Sequence, residues 1–489
     1  MNFIREFKKI EYLCSHHLFL KMKCTPTDPP TIVLGVTGSI AAFKAADLTS
    51  KLRQKNYQVV VIMTESATKL IQPQTFFTLS QQPVITSLWN AQQWQPTHIG
   101  LAEKSSLFVI APASADVIAK LANGIADDAL TTFAISHTGP ILLFPAMNPR
   151  MWQNPATQEN VETLRRRGIR IVDPSTGHVA CGESGKGRFP EVPQILSFID
   201  ETMHLLKFID TETNAEIASK SPNAKQRFIW KKCFTPPHAY FPPSMPNPKR
   251  RVPKVVISAG PTREAVDPVR FLSNKSSGKM GFALATSAAA VGCHVTLVAG
   301  PVDLVTPLGV NRVNVITAAE MKDAILNEVN KGKLENPDGD DDNYGPDLII
   351  MAAAVADYKP AEIADQKIHK SGELDLHLAR TDDILLCVKE TKESIKTYNS
   401  VSGNLCVVGF AAETQNIEQS ALSKMERKGL DMIVSNDVSR KDIGFATNEN
   451  EVTIYVKGSD PIHLQKQAKS SVASTILSIV LSKYFSAEE

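Results

Sequence analysis

A chain of 489 residues is too long for one ordinary core, and at roughly 150 residues per domain it calls for two or three. Its 53 Lys and Arg against 51 Asp and Glu leave a net charge of +2, which gives no electrostatic footprint for nucleic acid or an anionic membrane surface. No apolar run is long enough to span a bilayer, and the seven cysteines, odd in number, scattered and without a CxxC pair, argue against a disulfide framework or a zinc site.

Residues 1–30 are basic and hold only the short apolar patch Leu18-Phe19-Leu20, too short for a secretory core and not followed by a small-residue cleavage site. Glu6 and Glu11 argue against a transit peptide, Met22 is an alternative start, and the expected location is the cytoplasm. Apolar runs at 31–36, 58–63, 107–111 and 140–144 read as strands, with a helix over 39–55 and helical patterns between the later runs. Near-continuous apolar strands separated by helices predict a parallel sheet covered on both faces. The pattern stops near Leu206, and residues 207–251 carry Thr235-Pro-Pro and Phe241-Pro-Pro-Ser-Met-Pro, the composition of a linker.

A second series follows, with strands at 253–259, 294–299, 347–354 and 405–410 and a helix over 279–291. Residues 332–346, with Asp338-Gly-Asp-Asp-Asp, read as a solvated acidic loop. The expected organisation is an extension at 1–30, a first domain at 31–206, a linker at 207–251 and a second domain at 252–489, the two domains folding independently.

Gly35-Val-Thr-Gly-Ser39 joins the first strand to a helix. Glycine lets a ligand approach the backbone, and the helix start offers unpaired N–H groups to a phosphate, with Thr37, Ser39 and Thr64 as hydroxyl donors. Alone this fits many nucleotide and flavin folds, or a tight turn. Three more segments stand at strand ends or helix starts: Thr97-His-Ile-Gly, Ala111-Pro-Ala-Ser-Ala-Asp and Pro145-Ala-Met-Asn-Pro-Arg-Met-Trp. In their order, together with Ala180-Cys-Gly-Glu-Ser-Gly-Lys-Gly-Arg188, they resemble the phosphopantothenoylcysteine decarboxylases over about 31–200.

The resemblance implies a flavodoxin-like fold that binds FMN between subunits of a trimer, with Gly38, Ser39, Thr64 and Ser114 at the FMN. It also implies His98 as the active-site base, Asn148 as holder of the substrate carboxylate and Cys181 as proton donor on a flap. The chemistry needs all three. The cysteinyl carboxylate adjoins no electron sink, so the thiol end must first be oxidised to a thioaldehyde by the flavin, and the enethiol left after decarboxylation must be reduced and protonated. Singly, His98 reads as structural, Asn148 as a turn residue beside Pro149 and Cys181 as inert; it is their joint occurrence that favours chemistry. Thr97, Gly100 and Asp116 depart from the family pattern, and an anionic Asp116 near flavin phosphate needs a donor or metal to offset it.

In the second half, Ala259-Gly-Pro-Thr-Arg-Glu, Asn274-Lys-Ser-Ser-Gly-Lys-Met-Gly, Ala352-Ala-Ala-Val-Ala-Asp-Tyr, Gln366-Lys-Ile, Thr381-Asp-Asp-Ile and Gly409-Phe-Ala-Ala-Glu are similar to the phosphopantothenate–cysteine ligases over about 253–484. From the residues alone, Ser276, Ser277 and Gly278 cap a helix or meet a phosphate. Lys424 and Lys428, an i,i+4 pair, read singly as a solvated helix face. The resemblance implies a second doubly wound, Rossmann-like domain that binds nucleotide and dimerises. It puts Ala353, Asp357, Lys367, Asp382, Asp383, Ile384, Leu385, Phe410, Lys424 and Lys428 at CTP and Asp357 at Mg²⁺. Asn274 and Lys367 would handle an acyl-cytidylate, and Lys275 replaces the usual His. The order of the halves is that of a bacterial bifunctional family that makes 4'-phosphopantetheine from 4'-phosphopantothenate, cysteine and CTP. A flavin prenyltransferase shares the first glycine turn but lacks the Pro-Ala-Met-Asn segment and the second half. A regulatory flavoprotein would not need His98, Asn148 and Cys181 together.

Overall fold

The computed structural model describes residues 29–89, 97–219, 253–331, 345–369, 374–394, 405–413, 417–437 and 447–484. Its first half runs β1 (Thr31–Val36), α1 (Ala42–Gln54), β2 (Gln58–Met63), α2 (Glu65–Thr68), α3 (Pro73–Ser80), α4 (Thr97–Lys104) and β3 (Ser105–Ala113). It continues with α5 (Ala115–Asn123), α6 (Ala129–Ser136), β4 (Ile141–Pro145), α7 (Pro149–Gln153), α8 (Pro155–Arg166) and β5 (Arg170–Ile171). The strands form one parallel sheet in the order β2-β1-β3-β4-β5. This is the doubly wound, flavodoxin-like order.

Alternation along the strands explains their continuous apolar sequence. Ile32, Leu34 and Val36 of β1 enter one core with Leu48 and Leu52 of α1. Val33, between them, enters the opposite core with Leu130 and Phe133 of α6. Both faces are covered, so positions 32–36 carry no polar side chain. The helices start on polar caps: Thr64 for α2, Ser114 for α5, Asp128 for α6 and Asn148, ahead of Pro149, for α7. An antiparallel hairpin, β6 (Ser175–His178) with β7 (Ser184–Arg188), then precedes the long helix α9 (Val192–Ser219).

The second half contains β8 (Lys254–Ala259), β9 (Arg263–Ala265), β10 (Phe271–Ser273), α10 (Lys279–Ala290), β11 (His294–Ala299), β12 (Val310–Asn314), α11 (Ala318–Asn330) and β13 (Leu348–Met351). It ends with β14 (Tyr358–Pro360), β15 (Leu378–Arg380), α12 (Ile384–Ser394), β16 (Cys406–Glu413), α13 (Ile417–Lys428), β17 (Met432–Asp437), β18 (Glu449–Val456), β19 (Ile462–Ala468) and α14 (Lys469–Tyr484). The sheet order is β12-β11-β8-β13-β16-β17-β18-β19, parallel as far as β17 and antiparallel beyond it.

One expectation changes. Helix α9 runs on to Ser219, past the boundary expected at 206, because 207–219 contains neither Pro nor Gly to stop it. The N-cap of α10 is Gly278, one of the three residues its sequence offered, at φ 73°, a left-handed conformation that suits glycine, and the Ser276 Oγ accepts from the Gly278 N–H at 3.3 Å. The Pro-rich segment at 220–252 and the acidic stretch at 332–344 lie outside the described residues.

Helix α9 also joins the halves. It packs on α1 of its own half and on α10 and α14 of the other. Ile195 and Ile199 share one core with Leu284, Ala288, Val472 and Ile476. Each of these isoleucine, leucine and valine side chains, fully buried, is worth roughly 1.5–3 kcal/mol. Within this contact the Ser287 and Ser474 hydroxyls donate to the buried Glu201 carboxyl.

Candidate active sites

In an open parallel sheet, ligands bind beyond the carboxyl ends of the strands where the winding reverses. In the first half this point lies between β1 and β3. The buried Thr37 hydroxyl bridges it, donating to the Pro112 carbonyl at 2.8 Å and accepting from the Ser114 N–H at 2.9 Å. This corrects the expectation that Thr37 serves a phosphate: its hydrogen already ties two loops together. The Ser39 hydroxyl likewise donates to the Ala146 carbonyl at 3.0 Å, adding the loop after β4. Thr64 and Ser114 accept from the Ala67 and Val117 N–H groups at 3.3 Å and 3.4 Å, and a cap of this kind uses the oxygen but not its hydrogen.

Gly38 is exposed between these loops, and a Cβ there would fall 2.5 Å from the Ser66 Cβ. Only glycine fits so close an approach, and it leaves the backbone there uncovered by a side chain. That open backbone, with the hydroxyl hydrogens of Thr64 and Ser114, is a donor set that suits a flavin phosphate. Asp116 has its offsetting cation, Lys120 at 3.7 Å on the same helix. The His98 side chain lies outside the described residues.

Asn148 and Cys181 meet. The Asn148 Nδ2 donates to the Cys181 Sγ at 3.1 Å and to the Glu183 Oε2 at 2.9 Å. Glycines make this approach possible. A Cβ at Gly187 would lie 2.4 Å from the Met147 carbonyl oxygen, and one at Gly185 would lie 2.9 Å from the Pro149 Cβ. The hairpin therefore lies directly on the turn that carries Asn148, joined to it by the Met147 N–H donating to the Gly187 carbonyl at 3.1 Å. Cys181 at its tip is exposed, as its glycine-rich flank suggested. The sequence reading missed Glu183 and Arg150, an ion pair at 2.7 Å; Glu183 lay two positions beyond Cys181.

The second sheet reverses between β8 and β13, and the loops there are bonded in the same way. The Ser258 Oγ accepts from the Ala353 N–H at 3.1 Å, the Gly260 carbonyl from the Ala354 N–H at 2.9 Å and the Thr262 Oγ1 from the Ala356 N–H at 3.0 Å. The Asn274 Nδ2 donates to the Val355 carbonyl at 2.9 Å, which sets it on the loop leading to the exposed Asp357. The Asp357 carbonyl accepts from the Thr381 N–H at 3.0 Å, bringing Asp382 and Asp383 alongside. Asp383 pairs with Lys428 at 2.9 Å and Asp382 with Lys322 at 2.6 Å. Ile384 is buried in one core with Leu385 packed partly buried against it, while Phe410 packs partly buried on the other core of this half.

Lys367 is exposed, and its neighbour is clamped. The Asp267 Oδ2 accepts from the Ile368 N–H at 3.1 Å and from the Arg270 Nε at 2.9 Å. Desolvation pushes the Asp267 carboxyl upward, but the Val269, Ile368 and Arg270 donors outweigh it and hold the group at about 2. Asp267, Arg270 and Lys322 went unnoticed in the sequence because nothing local marks them.

Residues 22–204 match the family described as Flavoprotein, and residues 251–484 match the DNA/pantothenate metabolism flavoprotein C-terminal domain. The chain is 38% identical over 446 residues to the coenzyme A biosynthesis bifunctional protein CoaBC of Vibrio vulnificus (strain YJ016), covering 90% of this chain and 95% of that one. It is 39% identical over 449 residues to the protein of the same name from Bacillus subtilis (strain 168), covering 91% and 95%. The crystal structure of the C-terminal domain of a CoaBC protein is 36% identical, covers 47% of this chain and 93% of that one, and superposes with a TM-score of 0.37. The chain belongs to the CoaBC family of bifunctional coenzyme A biosynthesis enzymes, a flavoprotein decarboxylase joined to a phosphopantothenate–cysteine ligase.

Proposed function

We propose that the second half uses CTP to join cysteine to 4'-phosphopantothenate through an acyl-cytidylate, and that the first half decarboxylates the product to 4'-phosphopantetheine with FMN. The observation that carries the decarboxylase assignment is the meeting of Asn148 and Cys181, a neutral amide donor and an exposed thiol on one side of the loop cluster. The Asn148 amide would hold the substrate carboxylate until carbon dioxide leaves. Cys181, placed by the hairpin, would then deliver a proton, and His98 would take one at the start. Gly38, Thr64 and Ser114 would hold FMN, which supplies a two-electron acceptor and donor when bound, and Ser39, its hydroxyl hydrogen given to the Ala146 carbonyl, would keep the loop after β4 beside them.

In the ligase half, the substrate carboxylate must approach an anionic α-phosphate, so cations must offset the repulsion. Lys367, Lys424 and Lys428 supply that charge, and Asn274 faces the acyl group. Ala353, Asp382, Asp383, Ile384, Leu385 and Phe410 complete the CTP site. Among the described residues no three His, Cys, Asp or Glu side chains gather to hold a metal. Mg²⁺ held by Asp357 and the nucleotide phosphates needs no such group. The assembly we infer is a cytoplasmic homo-oligomer, trimeric through the first half and dimeric through the second. Purified protein should be yellow and should make 4'-phosphopantetheine from 4'-phosphopantothenate, cysteine and CTP. Equal turnover with CTP and ATP would overturn the nucleotide assignment, and a colourless active protein would overturn FMN.

A further inference from the structure

The Asn148 side chain has two amide hydrogens, and the hairpin tip takes both, one at the Cys181 Sγ and one at the Glu183 Oε2. The amide is fixed against flipping because its Oδ1 accepts from the Arg150 N–H at 2.8 Å. The other Glu183 oxygen, Oε1, lies 2.7 Å from the Arg150 Nη2. Cys181 and Glu183 also belong to one closed turn. The Val179 N–H donates to the Glu183 carbonyl at 3.0 Å and the Gly182 N–H to the Val179 carbonyl at 2.9 Å.

A carboxylate of the chain itself thus sits on the donor assigned above to the substrate carboxylate. Two carboxylates competing for one N–H also repel each other. Resting on Asn148 as the substrate anchor, we propose that Glu183 is a positioning residue, a resident carboxylate that holds the Asn148 amide until the substrate carboxylate displaces it and that returns when carbon dioxide has left. During the exchange Glu183 keeps Arg150, so its charge stays partnered, and Cys181 stays with Asn148. A ligand that carries no carboxylate has nothing to offer Asn148 in place of Glu183. The exchange therefore bears on phosphopantothenoylcysteine alone: its carboxylate must displace Glu183 to reach Asn148, whereas the decarboxylated product binds with Glu183 in place.

The test uses the FMN-loaded enzyme, with 4'-phosphopantothenoylcysteine as substrate and 4'-phosphopantetheine as product inhibitor. Glu183→Gln keeps an acceptor of the same shape and removes the charge. KM should fall by roughly three- to tenfold while the product inhibition constant holds, so the change falls on KM and not on kcat. Arg150→Gln should do the opposite: the displaced Glu183 then has no partner and KM rises. The double variant should return to the Glu183→Gln value. Flavin content and ligase activity report folding, and if Glu183→Gln does not fold, the rise in KM with Arg150→Gln carries the test. An unchanged or raised KM in Glu183→Gln, or substrate and product constants that move together, overturns the proposal. Asn148→Ala separates the two layers. No effect of Asn148→Ala on KM overturns the anchor itself. A raised KM there, with Glu183→Gln and Arg150→Gln both silent, overturns only the role of Glu183.

Discussion

Glu201 and Ser474 stand 273 positions apart in the chain, and the Ser474 hydroxyl donates to the Glu201 carboxyl where the two halves of the molecule meet. Ser287 donates to the same oxygen, yet burial still raises the carboxyl above its ordinary value of 4.5. A folded-state value above the unfolded one means that the native protein binds the extra proton. The contact is therefore strongest below the unfolded value and weakens as pH rises through the folded one. Glu201→Gln keeps the shape and should abolish that pH dependence, so the variant should outlast the wild type in denaturant under alkaline conditions. Ser474→Ala withdraws a donor from a buried carboxyl and should cost on the order of 1–3 kcal/mol. Urea unfolding of the full chain from pH 4.5 upward checks both, and identical pH slopes for wild type and Glu201→Gln would refute this role.

His137 gives a pH dependence of opposite sign. It is buried and stacked on Phe133 at 5.5 Å between ring centroids. Its Nε2 lies 3.3 Å from the Pro140 carbonyl, which can only accept, so the Nε2 carries the hydrogen and the Nδ1 accepts from the Ser105 hydroxyl at 3.0 Å. Burial lowers its value from 6.5 to about 4. The unfolded chain then binds the extra proton, so stability is full above 6.5 and declines as pH falls toward 4. At about pH 5.5 the loss should be about 1.4 kcal/mol, and His137→Gln should remove the slope. Thermal unfolding of the flavoprotein half across that range measures it; a flat wild-type profile would sink the assignment.

Cys181→Ser tests the acid. Serine fits the hairpin tip and accepts from Asn148, but its hydroxyl is far less acidic than a thiol. The variant should release carbon dioxide and then stall before the enethiol is reduced and protonated. Trapped carbon dioxide without matching 4'-phosphopantetheine is the expected result, and a normal yield of phosphopantetheine would remove Cys181 from the mechanism.

What could be read in the sequence divides by range. Strands β1, β2 and β8 were legible because a strand buried on both faces has to be apolar throughout, and Cys181 was legible as exposed because its neighbours are small. Thr37 was misread. A Thr after a strand can serve a phosphate or a neighbouring carbonyl, and only the position of Pro112, 75 residues on, decides between them. The run of α9 into the expected linker was hidden because 207–219 is polar enough for either state. Asp267 and Ile368, 101 positions apart, carry no common motif, and the clamp between them exists only in the fold.

That clamp separates two kinds of damage to the ligase half. Lys367→Gln removes a cation from the phosphates but leaves its loop in place. Losing such a stabiliser typically costs about 3 kcal/mol in the barrier, so cytidylate formation should slow by roughly a hundredfold. Asp267→Asn keeps the shape and most of the accepted bonds but drops the charge that holds Arg270 and the Ile368 N–H. Lys367 keeps its ammonium and loses its fixed position, so KM for CTP should rise together with a fall in kcat, and protein stability should fall as well. Asn274→Asp, nearly isosteric, sets an anion against the Ala354 and Val355 carbonyls and should impair the attack by cysteine at least as much as pyrophosphate release. None of the three should alter decarboxylation of supplied 4'-phosphopantothenoylcysteine, because they lie in loops of the second half. Pyrophosphate release and phosphopantothenoylcysteine formation can be followed separately on each variant, and wild-type rates for both steps in Lys367→Gln would refute the ligase-site assignment.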